Sequence, residues 1–169
     1  MLTKKEFITN KVKLVTDPDV KGKILRMYSS NPNNDSSYPL MYEKEKKIIK
    51  QRVRELCEKY NPKKVLEIGF GLGYTATEFQ ECGVEEHIIV EAHPEVFKDA
   101  EQWAKKYPNV KLVNKFIQDY KYNEDDYDLI LDDRFEMVHD LNEEVTPRYK
   151  AKNEWKMLYT EEDKKELTK

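Results

Sequence analysis

Four short stretches of the chain carry residue types that could do chemistry. The first is Glu67-Ile68-Gly69-Phe70-Gly71-Leu72-Gly73. Glycines there let the backbone turn sharply and let a ligand lie against bare peptide. The apolar run Val65 to Ile68 precedes them and a helical pattern from Tyr74 to Glu81 follows, so a helix N-terminus points at that ligand. The second is Glu91, followed by Ala92, at the end of the apolar run His87 to Val90. It stands about twenty residues after Gly71, where a carboxylate can accept hydrogen bonds from both hydroxyls of a ribose. A dinucleotide loop needs a glycine where Tyr74 stands, and Glu67 would repel a pyrophosphate. An acid suits a ligand whose far end is a cationic amino group.

The third stretch is Phe116-Ile117-Gln118-Asp119. In a parallel sheet this turn lies beside the adenine: Phe116 or Ile117 would cover the ring face, and Gln118 would bond the exocyclic amine. The fourth is Asp132-Asp133-Arg134-Phe135. Two carboxylates at the carboxyl end of a strand can orient a cationic nucleophile or take its proton; capping the next helix is an equally good use for them. Glu136, His139, Asp140 and Glu143 fall at helical spacing, which reads as an acidic solvated face, with no metal site expected. Cys57 and Cys82 form no metal or redox motif and read as free thiols in a reducing cytoplasm.

These residues need a scaffold, and its outline is legible. The chain has 169 residues, a mean hydropathy of -0.90 and a net charge of only -3, despite 37% charged residues. That balance predicts one folded, very soluble domain without the basic surface a nucleic-acid binder needs. No apolar run approaches the roughly 18 residues of a membrane span, so a cytoplasmic protein is expected. Short apolar strands at 65–68, 87–90, 110–113 and 127–131 alternate with helical patterns at 40–60, 74–81 and 94–106. The alternation predicts an α/β fold, a parallel sheet with helices on both faces. Residues 41–135 form this domain. Ahead of it, residues 1–40 read as two short helices, over 1–15 and 20–28. A turn-rich loop from Ser29 to Pro39 follows, which could serve as a mobile lid. Beyond it, residues 136–169 read as a charged, mostly helical tail with no further strand.

From Tyr38 to Phe135 the chain resembles the S-adenosylmethionine-binding half of class I methyltransferases, most closely guanidinoacetate N-methyltransferase and the arginine-type N-methyltransferases. The resemblance rests on Val65 through Gly71, Glu86 through Glu91, Val96-Phe97 through Trp103-Ala104, and Asp128 through Leu131 followed by Asp133. It implies a Rossmann-like methyltransferase fold and S-adenosyl-L-methionine as cofactor. It places Gly69, Phe70 and Gly71 along the methionine and ribose, Glu91 on the ribose, and Phe116, Ile117 and Gln118 on the adenine. Asp133 would face a guanidino group. Two departures stand out. The family carries a Glu shortly before a Pro-Tyr segment, where this chain has Ser37-Tyr38-Pro39, with Glu43 and Glu45 as loose substitutes. The family also continues after strand four with a helix and three more strands, and no such strands are expected here. A truncated sheet of about four strands in the order 3-2-1-4 would leave strand four as an apolar edge, to be covered by the tail of residues 136–169 through Trp155, Met157 and Leu158 or, the favoured expectation, by a second copy in a homodimer. The leading expectation is methyl transfer to a small cationic acceptor. The alternatives are a protein that binds the cofactor and cleaves it, as a lyase or hydrolase, and a non-catalytic binding module.

Overall fold

The computed structural model describes residues 2–135 and 147–169. Helix α1 (Lys4–Thr9) opens the chain. Thr3 caps it, the Thr3 hydroxyl accepting from the Glu6 N–H and the Glu6 carboxylate accepting from the Thr3 N–H at 2.8 Å. Three strands follow, β1 (Lys11–Thr16), β2 (Lys23–Tyr28) and β3 (Ser37–Tyr42), paired antiparallel in that order. The larger unit then alternates: α2 (Lys46–Tyr60), β4 (Lys64–Ile68), α3 (Tyr74–Glu81), β5 (Glu86–Val90), α4 (Pro94–Ala104), β6 (Val110–Val113) and β7 (Leu129–Asp132). A hairpin of β8 (Arg148–Ala151) and β9 (Glu154–Met157) and the short helix α5 (Glu161–Leu167) complete the described chain.

Strands β6, β5, β4 and β7 lie side by side and parallel, the 3-2-1-4 order expected from the sequence. Register lines up their carboxyl ends: Ile68 pairs with Val90 on one side and with Asp132 on the other. The glycine turn, Glu91 and Asp133 therefore leave the sheet at one edge. Alternation along the strands divides the core. Val65, Ile89, Leu129 and Leu131 meet Ile49 and Val53 of α2, Phe79 of α3 and Val96 and Ala100 of α4. Leu66, Ile68, Ile88, Val90 and Ile130 face the other way. Among the described residues that second face is covered by Ile117, by tyrosines 120, 122 and 127, and by Trp155, where the sequence reading expected helices.

Four expectations change. The helices foreseen over 1–15 and 20–28 give way, beyond the six residues of α1, to the antiparallel strands β1 and β2. The last three residues of the 29–39 loop begin β3, and the rest folds on itself, with the Ser29 N–H donating to the Ser36 carbonyl at 3.0 Å. Strand β7 is not an edge: β8 pairs with it antiparallel from Leu129↔Ala151 to Asp132↔Arg148. The unpaired edge on which a homodimer was expected is thus filled by the chain itself. The tail seen as helical supplies two strands, joined by a turn with Lys152 at φ +59°.

Helix α5 is tied to α2 by a two-pronged ion pair. Arg52 Nε and Nη2 donate to Asp163 Oδ2 and Oδ1 at 2.8 and 2.7 Å, and Asp163 also accepts from the Thr160 N–H at 2.7 Å. The Arg52 guanidinium holds the Asp163 carboxyl down at about 2. Asp163→Ala is expected to cost about 1–2 kcal/mol, combining a lost cap with the loss of the two-pronged pair, while Arg52 keeps its 2.7 Å contact with Glu55. Because the folded-state value is depressed, this stabilisation is present above the ordinary aspartate range and disappears as pH falls through about 2. Thermal melts of both proteins should therefore differ at neutral pH and converge in strong acid.

Candidate active site

The carboxyl ends of β4, β5 and β7 surround one cavity. Its walls include Gly69, Phe70, Gly71, Glu91, Ala92, Phe116, Ile117 and Asp133, all singled out from the sequence, together with Phe7, Leu40, His93 and Arg134. Gly69 sits at φ +89°, and a Cβ there would lie 2.6 Å from the Asp133 carbonyl oxygen. Only glycine lets these two loops approach so closely, and the Asp133 N–H donates to the Ile68 carbonyl at 3.0 Å to fix the contact. Gly71, at φ +57°, lines the cavity as well, and a Cβ there would lie 2.8 Å from Met41 Sδ, so its bare Cα also makes room for that side chain.

Glu91 is buried with its carboxylate stretched over the turn. Oε2 accepts from the Phe70 N–H and Oε1 from the His93 N–H, each at 2.8 Å. Burial pushes its pKa up, and these backbone donors pull it back toward the charged form. The Gly71 and Ala92 backbone also stabilises the charged form, so the carboxylate is held by the turn on every side. Phe116 and Ile117 form the opposite wall.

Four sequence candidates lie off the cavity. Glu67, 1% exposed, turns to the helix side of the sheet, where Oε2 meets His87 Nε2 at 2.9 Å. Gln80 Nε2 contacts the other ring nitrogen at 3.0 Å, so the pair is a closed internal network with no access to a ligand's amino group. Gly73, at φ +77°, precedes α3, and its bare Cα gives space to the Phe70 ring. Gln118 and Asp132 line a neighbouring cleft with Tyr120, Tyr122, Arg148 and Trp155. Arg134 grips Asp132 through Nε to Oδ1 and Nη2 to Oδ2, both 3.0 Å. An acid already held in that fork is poorly placed to take a proton from a substrate in the main cavity. Asp133 alone of the pair lines that cavity. The acidic run Glu136, His139, Asp140 and Glu143 lies outside the described residues, and among those described no three His, Cys, Asp or Glu side chains gather as metal ligands.

Sequence reasoning gave Glu45 only as a loose substitute and missed one aromatic of the cavity, Phe7. Glu45 ends a single 3-10 turn, Glu43–Glu45, between β3 and α2. Its Oε2 accepts from the Tyr42 N–H at 2.8 Å and its Oε1 from the Tyr159 hydroxyl at 3.3 Å. Burial raises its pKa. Phe7, on α1, projects into the cavity, stacked on Phe135 at 5.6 Å and tilted against Phe116 at 5.7 Å. In this state the cavity is covered by α1 and Leu40, and residues 29–39 are not among its walls.

Residues 39–144 match the sequence profile of guanidinoacetate N-methyltransferase, more than half of the chain. The chain belongs to the guanidinoacetate N-methyltransferase family. Its order of parallel strands is that of a Rossmann-like methyltransferase fold. Among solved structures, it is similar to the YcgJ protein of Bacillus subtilis, with 27% identity over 47% of this chain and 36% of that one, at a TM-score of 0.41. It is also similar to a spermidine synthase (22% identity, 63% and 41% covered, TM-score 0.37). Trm5b of Pyrococcus abyssi is a third (12% identity, 66% and 37% covered, TM-score 0.40). The chain thus spans about two fifths or less of each of these proteins, so family membership rests on the profile match. No helix among the described residues is long and apolar enough to cross a membrane.

Proposed function

We propose that this chain is an S-adenosylmethionine-dependent N-methyltransferase acting on a small cationic acceptor, a guanidino compound or an amine. The observation that carries the reading is the convergence of Gly69, Glu91, Phe116, Ile117 and Asp133 on one cavity in a member of this family. The donor set fits the cofactor. Glu91 places a buried carboxylate where a ribose would lie, Phe116 and Ile117 offer an apolar wall to an adenine, and the Gly69 turn offers bare backbone. When bound, S-adenosylmethionine supplies a methyl group on a positively charged sulfur. The chain's own task is to place an acceptor nitrogen in line with it. Asp133 would bind and orient the cationic acceptor and accept its proton.

The cavity in this state is small. Its volume is about 70 Å³, whereas ligand sites usually offer ~300–1,000 Å³. Phe7 is the movable part of the wall. It sits on a helix of six residues, far shorter than the roughly 12–15 at which helices begin to persist alone. Its aromatic contacts with Phe116 and Phe135 occupy surface that an adenine would use. Binding must therefore displace a buried phenyl ring, a cost of about 1.5–3 kcal/mol. Phe7→Ala is expected to tighten cofactor binding by roughly tenfold, since the competing occupant is gone. Calorimetry decides: weaker binding by the variant would make Phe7 a wall of the bound site and remove the plug.

A test of the function itself uses methyl-labelled S-adenosylmethionine with guanidinoacetate and simple amines as acceptors. Label on an acceptor nitrogen supports the reading. Breakdown of the cofactor without an acceptor, or its recovery intact, would favour the cleaving or the merely binding alternative.

A further inference from the structure

A second cleft adjoins the cavity that holds Asp133 and shares Ile68, Ile117 and Arg134 with it. Its volume is about 390 Å³, within the ~300–1,000 Å³ of ordinary small-molecule sites. Two of its walls, Arg148 on β8 and Trp155 on β9, lie past residue 144, where the family match stops. The Arg148 guanidinium lies over the Trp155 ring, 4.7 Å from its centroid, and such stacking fixes the plane of its fork of donors. Tyr120 and Tyr122, their rings nearly parallel with centroids 6.1 Å apart, line the cleft with Ile117.

The acids of this cleft are already engaged. Glu124 accepts from Lys150 Nζ at 2.6 Å. Arg134 takes both oxygens of Asp132 at 3.0 Å. Arg148, the second guanidinium, is left with one long bond, Nη2 to Asp132 Oδ2 at 3.4 Å, and among the described residues its buried Nε has no hydrogen-bond partner. Native folds rarely leave such a donor bare, so this one marks a place for an acceptor. We propose that the cleft is a binding site for a small organic carboxylate, with its charged end on the Arg148 guanidinium and its apolar body against Tyr120, Tyr122 and Ile117. A carboxylate matches two parallel N–H donors of a guanidinium. A guanidinium stacked on an indole loses little freedom on pairing, and leaving a 3.4 Å contact gives up little. Asp132 stays paired with Arg134 throughout. Asp132 and Glu124 nearby disfavour a dianion such as phosphate. The site needs neither the cofactor nor Asp133, and it does not rest on the methyl-transfer reading.

Benzoate is the probe, and benzamide, of the same shape without the charge, is its control. In nitrogen-15 NMR spectra of the full chain, benzoate should shift the Arg148 Nε–H and the Trp155 indole N–H. The Trp103 indole, bonded to Thr77 Oγ1 at 3.0 Å on the helix side of the sheet, should stay in place. Benzamide should bind roughly tenfold or more weakly, and so should benzoate to Arg148→Met, through loss of a charge-assisted pair. Methionine keeps an apolar cover on Trp155, and an unchanged Trp103 signal shows that the variant is folded. Equal affinity for benzoate and benzamide in the wild-type protein would overturn the proposal, whatever becomes of the variant. So would a failure of benzoate to move Arg148 or Trp155, or undiminished binding by the folded Arg148→Met protein.

Discussion

Changing Asp133 to asparagine is expected to cut methyl transfer by roughly 100- to 1,000-fold, the scale of a lost general base. Asparagine has nearly the same shape, so the backbone contacts that fix this residue persist: its N–H on the Ile68 carbonyl and its carbonyl against Gly69. What disappears is the negative charge at the cavity wall. A cationic acceptor then loses its counter-ion, and its nitrogen keeps the proton that blocks its lone pair. Cofactor affinity should stay within about twofold, because the loss falls on the acceptor and the transition state. The comparison with Asp132→Asn is informative. Asp132 is held by Arg134, with Arg148 Nη2 at 3.4 Å, so its loss should lower thermal stability more than it lowers the intrinsic rate. Steady-state kinetics and melting curves on the two variants check the division. Equal rate losses would mean that the carboxylates work as a pair.

That division could not be read from the sequence. Successive residues leaving a strand point to opposite sides, so only one of Asp132 and Asp133 could line the cavity. Which one depends on where Arg134 and Arg148 sit, a tertiary fact. Glu67 shows the same period working the other way. It lies between Leu66 and Ile68, which share a face, so it had to face the helices with Val65, and His87 was the partner awaiting it. The four parallel strands were legible because each is short, apolar and followed by a turn or helix signal, and their order followed from the resemblance. Strands β8 and β9 were not. Arg-Tyr-Lys-Ala and Glu-Trp-Lys-Met carry little apolar pattern, and their turn puts Lys152 at φ +59°, where a reader looks for glycine. They are strands because β7 offers them an edge. The first sheet was misread for a related reason. Phe7, Ile8, Val12 and Val15 satisfy a helical period, while the alternation Lys11-Val12-Lys13-Leu14 also fits a strand, and pairing with β2 decided between them.

Glu91→Ala is expected to weaken S-adenosylmethionine binding by about 3 kcal/mol, or roughly 100-fold. Two effects add. The ribose hydroxyls lose a charged acceptor, and the N–H groups of Phe70 and His93 lose the carboxylate that now organises them. The second effect was invisible in the sequence and pushes the loss to the upper part of the range expected for ribose contacts alone. Glu91→Gln should be intermediate, since one amide oxygen can accept only on one side. Burial raises the Glu91 pKa, so wild-type affinity should begin to fall on acidification at a higher pH than an ordinary carboxylate would allow, as the acceptor becomes protonated. Titration calorimetry across pH on the three proteins checks both statements. Unchanged affinity in Glu91→Ala would take this residue out of the site.

The central claim is that the cavity at the ends of β4, β5 and β7 brings a methyl donor and a cationic nitrogen together. Mass spectrometry of a reaction containing the protein, methyl-labelled S-adenosylmethionine and guanidinoacetate or an amine tests it most directly. The account predicts label on the acceptor nitrogen with one S-adenosylhomocysteine formed per methyl moved, and loss of both products in Asp133→Asn. Cofactor recovered intact, or broken down at the same rate with and without acceptor, would contradict it.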